Sequence, residues 1–144
     1  MKNIFTLLIL ASFGLNSMAQ EGQAQITFKT ETIDYGTVDK ASNGVRVFEF
    51  TNTGNSPLVI TDVKSSCGCT IPKKPEKPIQ PGESGVIEVK YDTNRVAPFR
   101  KTITVTSNAD RPTVALKIKG DVVDPSAVDN NMMQKKTSSV IENQ

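Results

Sequence analysis

The sequence predicts an all-β protein: an Ig-like β-sandwich of about seven antiparallel strands. Three observations carry this expectation. From residue 26 onward apolar side chains tend to recur at every second position, the period of a strand with one face buried and one face wet. Turn-forming clusters separate the runs at Asn43-Gly44, Asn52 to Pro57, Pro81-Gly82-Glu83 and Ser107 to Pro112. No 3.6-residue apolar period outlasts a single turn, so helices are not expected. A partly open barrel is the weaker alternative.

The strands are expected at 25–30, 32–38, 44–52, 57–64, 84–92, 99–107 and 113–122. The first two are short runs in which Ile26 and Phe28, then Ile33 and Tyr35, alternate with polar residues. The third, Val45-Arg46-Val47-Phe48-Glu49-Phe50, breaks phase between Val47 and Phe48, which predicts a bulge or burial on both faces. The fourth follows the turn ending at Pro57. In the fifth, Ile87, Val89 and Tyr91 alternate with Glu88, Lys90 and Asp92. Ile103 and Val105 alternate with threonines in the sixth, and Val114, Leu116 and Ile118 alternate with Ala115, Lys117 and Lys119 in the seventh. The Thr, Val, Ile and Phe content of these runs suits a pleated, half-buried surface.

The ends have a different character. Residues 1–19 begin with Lys2, run apolar from Ile4 to Leu15, and end Ser17-Met18-Ala19. This is the layout of a secretory signal peptide cleaved after Ala19. Its apolar run is too short to span a bilayer, and no later stretch is apolar enough for a transmembrane anchor. The domain is expected over 25–123. Residues 124–144 are rich in Ser, Asn, Gln, Lys and Asp, a composition that predicts a disordered tail. An exported protein, periplasmic or secreted, is the expectation, and with it an oxidising compartment.

At 144 residues one domain is the natural count. With 17 Lys+Arg against 15 Asp+Glu the formal charge is +2, which gives no electrostatic case for nucleic acid or anionic lipid. The chain has no His, so Ser-His-Asp and Cys-His nucleophiles and His-based zinc sites are excluded. No Trp is present, and only Tyr35 and Tyr91 offer a phenol ring to stack on a sugar. Arg95, Arg100 and Arg111 are candidates for a cluster, without the interleaved aromatics of a single-strand nucleic-acid groove.

The chemically distinctive motif is Ser65-Ser66-Cys67-Gly68-Cys69-Thr70, which holds both cysteines of the chain. Three readings compete. A local disulfide would close a loop so small that chain entropy gives it only about 1.6 kcal/mol, so it would be a poor staple. It would also be strained by its one-residue spacing, relieved in part by Gly68 adopting positive φ, and a strained loop disulfide suits redox chemistry. A metal site is the second reading: two thiolates suit Cu(I), whereas a structural zinc lacks its other two ligands. Two half-buried structural thiols are the third. Lys64 and Lys73 are the neighbours able to favour a thiolate.

A second motif places proline at every third residue: Pro72, Pro75, Pro78 and Pro81. A polyproline II helix has three residues per turn, so the rings would line one edge as a contact loop for an aromatic groove. The competing reading is a stiff crossover linking the two sheets, with prolines guarding an edge from aggregation.

The segments Phe48 to Ile60, Ser66-Cys67-Gly68-Cys69-Thr70 and Ile79 to Gly85, followed by Tyr91-Asp92-Thr93 and Phe99 to Ile103, resemble the Domain of Unknown Function 1573 family over about residues 26–123. The resemblance implies an exported Ig-like domain of the Hydin and major-sperm-protein kind. It marks Cys67 and Cys69 as motif positions and implies no activity.

The function expected from these readings is a non-catalytic interaction or scaffold module of the cell envelope, whose partner is another envelope protein. It needs no cofactor. The alternative is a small thiol-redox or copper-binding protein acting through Cys67 and Cys69.

Overall fold

A computed structural model describes residues 22–127. The expected signal peptide at 1–19 lies outside these residues, as does the expected tail from residue 128 on. Eight strands form two four-stranded sheets packed face to face. The first sheet has the order β1 (Ile26–Phe28), β3 (Val45–Asn52), β6 (Ser84–Tyr91), β5 (Thr70–Lys73). The second has the order β2 (Thr32–Asp39), β8 (Thr113–Val123), β7 (Pro98–Ser107), β4 (Ile60–Ser65). The all-β Ig-like sandwich is therefore the fold.

Three details differ from the sequence expectation. The strand β5 is additional. It is four residues long and contains Pro72, which reads as a breaker but is tolerated on a sheet edge. The neighbours β2 and β8 run parallel while the other pairs are antiparallel. Finally, β3 has no bulge: its register with β6 runs unbroken from Val45↔Lys90 to Thr51↔Ser84. The apparent phase break arises because the inward position is Arg46, while Val45 and Val47 lie on the outer face with Glu49. The irregularities sit elsewhere, between Asp34 and Thr37 in β2 and between Ile60 and Asp62 in β4. Gly36 supplies the first with φ of 62°, a conformation that favours glycine.

The alternating residues of β6, β7 and β8 meet in the core as their period requires. Ile87, Val89, Ile103, Val105, Leu116 and Ile118 are all buried, with Phe48, Phe50 and Leu58 among the largest side chains fully enclosed. At one end of the sandwich Tyr91 stacks on Phe99 with ring centroids 3.8 Å apart, and Tyr35 meets Phe99 edge-on at 5.3 Å. The guanidinium of Arg46 covers the Tyr35 ring at 4.4 Å, which explains how an arginine occupies an inward position. The Tyr35 hydroxyl donates to the Gly44 carbonyl at 3.0 Å. Both tyrosines are therefore core residues, not stacking platforms for a sugar.

Burial pushes the Tyr35 phenol up from about 10 to about 12, with Arg46 opposing the shift, and burial raises Tyr91 in the same direction. An unfolded chain releases these protons near pH 10, whereas the fold retains that of Tyr35 to about pH 12. The unfolded state thus binds fewer protons within that window. The contribution is fully present below pH 10 and is lost as pH rises toward 12. In an alkaline titration, phenolate absorbance should lag behind free tyrosine and then rise together with loss of the β-sheet signal. Phenolate appearing near pH 10 with the sheet intact would contradict this burial.

Candidate functional site

The chain leaves the second sheet at the end of β4 and enters the first at β5 through residues 66–69, so the Cys-Gly-Cys motif forms a corner between two sheet edges. Several hydrogen bonds set its path. The Ser66 amide donates to the Thr102 carbonyl at 2.9 Å, and the Thr102 amide donates back to Ser66 Oγ at 3.2 Å. The Asp92 amide donates to the Cys69 carbonyl at 2.9 Å, tying the corner to the end of β6. The Thr70 amide donates to the Cys67 carbonyl at 3.4 Å, which closes the turn.

Within that corner Cys67 and Cys69 are bonded as a disulfide, with their Cα atoms 5.3 Å apart. Cys69 is 6% exposed and belongs to the core, whereas Cys67 is partly buried and packs against its rim. The Thr70 hydroxyl lies 3.9 Å from each sulfur. Gly68 is exposed, and a Cβ built there would meet nothing within 4 Å. Its φ is not positive, since the positive-φ glycines of the described residues are Gly36 and Gly82. The turn therefore closes with ordinary dihedrals, and what glycine adds at this position is open access.

The two lysines nearest the motif are placed differently. Lys64 Nζ pairs with Asp62 at 2.9 Å on the same strand. The hydrogen bond from Lys64 holds the Asp62 carboxyl below its ordinary range, and Asp62 raises Lys64 in turn. Lys73 sits opposite Glu88 on the outer face of the first sheet. In the disulfide state the sulfurs offer no thiolate to Cu(I), so copper binding is a question for the reduced protein. Among the described residues no group of three or more Cys, Asp or Glu side chains converges as a metal cluster.

Of the residues singled out in the sequence, the structure brings together Cys67, Gly68, Cys69 and Thr70. It does not unite the prolines into one polyproline edge. Pro72 lies within β5, a bend falls at Glu76-Lys77, Ile79 bridges Leu58, and Pro81-Gly82 forms a turn. Nor is this segment a crossover: it joins β5 to β6 inside one sheet, whereas the cysteine corner before it is one of the connections that cross between the sheets. Of the three arginines, Arg95 pairs with Asp92 at 3.3 Å and Arg111 with Glu31 at 3.0 Å, each held by its own carboxylate.

Two features were not singled out. Asn52, read as a turn residue, is a fully buried polar hub. Its side-chain amide donates to the carbonyls of Ser56 at 2.8 Å and Ile79 at 2.9 Å, and its oxygen accepts from the Gly54 amide at 3.0 Å. The outer face of the first sheet carries the exposed apolar side chains Val47, Ile71 and Val86. The phase break at Val47 was the signal for this face, since it places valine outside.

Comparison with known proteins places this geometry. Residues 26–122 match the family described as "Protein of unknown function (DUF1573)". No curated protein matches the chain. Among solved structures, a protein of unknown function from Porphyromonas gingivalis W83 aligns with TM-score 0.61 at 17% identity, covering 68% of this chain and 46% of that one. This chain thus spans under half the length of that protein. The ASH / PapD-like domain 7 of human CEP192 aligns with TM-score 0.59 at 8% identity, covering 71% of this chain and 87% of that one. The CsuC-CsuE chaperone-tip adhesion subunit complex of Acinetobacter baumannii gives TM-score 0.52 at 10% identity, covering 69% and 57%. At these identities the likeness is one of fold.

Proposed function

This chain belongs to the DUF1573 family of proteins of unknown function, and from that premise we propose a non-catalytic protein-interaction module of the cell envelope, exported and docking on another envelope protein. The observation that carries this reading is the outer face of the first sheet. Val47, Val86 and Ile71 are 45%, 50% and 65% exposed there. Glu49, Glu88, Lys73 and Lys90 lie among them in register. Apolar side chains set among charges of both signs suit a reversible protein interface, in which a desolvated centre is rimmed by polar groups.

Docking on the face is favoured over strand addition at an edge. Each edge strand is blunted: β1 has three residues, β5 contains Pro72, and β2 and β4 carry register shifts. Such devices keep unpaired backbone groups from recruiting another strand. Export is supported by the Lys2-to-Ala19 pattern and by a disulfide, which persists in oxidising compartments. Among the described residues no helix is long and apolar enough to cross a membrane. A sandwich of this fold within the A. baumannii chaperone-adhesion complex illustrates that the architecture serves protein contacts.

A photo-crosslinking residue placed at Val86, on the first sheet, should capture a partner in the native envelope. The same residue at Thr104, exposed on the opposite sheet, should not. The Val47→Lys change should abolish the Val86 adduct. Equal capture from both faces, or none from Val86, would overturn the proposal.

A further inference from the structure

We infer that the Cys67–Cys69 disulfide is a thiol-exchange centre that oxidises a dithiol partner, with Cys67 as the attacked sulfur and Cys69 as the leaving group. The first argument is mechanical. The bond encloses one residue and joins no distant segments, while the corner is already held by Ser66 to Thr102, Asp92 to Cys69 and Thr70 to Cys67. Opening the bond therefore leaves the crossover in place, which a structural staple would not allow. The second is access. Cys69 is 6% exposed, so an incoming sulfur meets Cys67, beside exposed Ser66 and an uncovered Gly68. The third concerns the product. Reduced Cys69 becomes a neutral thiol inside the core, an environment that suits a small apolar group.

The step balances as follows. A partner thiolate attacks Cys67 Sγ, forming a mixed disulfide and breaking the Cys67–Cys69 bond. The electron pair leaves on Cys69 Sγ, toward which the Thr70 hydroxyl, 3.9 Å away, can turn its proton. The partner's second thiol passes its proton to Cys69 and then attacks its own sulfur in the mixed disulfide. That expels Cys67 as a thiolate, which takes a proton from water. The partner dithiol loses two electrons and becomes a disulfide, and the protein becomes the dithiol. The direction follows the reduction potentials of the two couples. Thr70 is a positioning residue in this sequence, acting on the leaving sulfur.

The test uses the full mature chain, millimolar reduced glutathione and a synthetic Cys-x-x-Cys peptide, read by acid quench, alkylation and intact mass. Folded wild-type protein should take up two alkyl groups while its circular dichroism is unchanged. With oxidised glutathione in place of the reduced form, the Cys69→Ser variant should form a mixed disulfide at Cys67, releasing one reduced glutathione, about tenfold faster than Cys67→Ser does at Cys69, because exposure governs the exchange. Thr70→Val should slow the opening of the bond in otherwise wild-type protein, and Thr70→Ser should restore it. A bond that opens only as the fold is lost, or single-cysteine variants that react at equal rates, would overturn the inference.

Discussion

Replacing Asn52 with leucine is expected to destabilise the sandwich by about 2–5 kcal/mol, although the two side chains share the same branched skeleton. Asn52 is fully buried at the end of β3 and joins several separate pieces of chain. Its amide reaches Ser56 in the following loop and Ile79 in the connection between β5 and β6. Its oxygen takes the Gly54 amide at 3.0 Å and, at 3.4 Å, the Gln25 amide before β1. The Ile79 carbonyl keeps a second donor in the Leu58 amide. The Ser56 carbonyl and the amides of Gly54 and Gln25 are the part-buried groups that lose their partner, and a group left unsatisfied away from water costs about 1–3 kcal/mol. Leucine offsets part of this by apolar burial but cannot pair any of these groups. Urea denaturation should show a lower midpoint at an unchanged slope. A loss below about 1 kcal/mol would mean that water replaces the side chain and that Asn52 is not a hub.

The importance of Asn52 also marks how far the sequence could be read. Strand positions with a clean period of two were legible because burial on one face leaves a pattern that survives without coordinates. Ile87-Val89-Tyr91 and Val114-Leu116-Ile118 fall inside as expected. The pattern misled where an inward residue is not apolar. Arg46 faces inward because the Tyr35 ring supplies a cation partner, and that pairing joins strands of two different sheets, which the period within one strand does not reveal. The role of Asn52 is equally non-local. A turn-forming residue and a buried hub look alike until Ile79 and Gln25 are brought beside it.

The candidate site was legible to a similar depth. The Cys-Gly-Cys spacing offered a local bond as one of three readings, and it is the one the structure contains. Invisible in the sequence was that this corner crosses between the sheets while the proline-rich segment stays within one. The difference turns on Thr70 to Lys73, too short and too proline-bearing to read as a strand until Tyr91 and Val89 are seen pairing with it. Asymmetry between the two sulfurs was likewise hidden, because it depends on Cys69 facing the core that the remote strands build.

The Phe48→Ala change is expected to cost about 3–5 kcal/mol, and comparison with the cysteines makes it informative beyond stability. Phe48 is completely buried in the middle of β3, opposite Ile87, and alanine would leave a void between the sheets. For a domain whose whole stability is on the order of 5–15 kcal/mol, such a loss brings it toward the edge of folding. Replacing both Cys67 and Cys69 with serine removes a bond whose entropic contribution is at most about 1.6 kcal/mol. The order of the two effects separates two roles for the disulfide. If the core holds the fold, the Phe48 variant loses far more, the serine pair keeps its face for Val47, Ile71 and Val86, and the bond is free to serve exchange. If the serine pair is as damaging as the void, the bond is a structural tie across the corner, and exchange chemistry there would unfold the protein that carries it. Urea midpoints for the two variants, measured side by side with the wild type, decide between these outcomes.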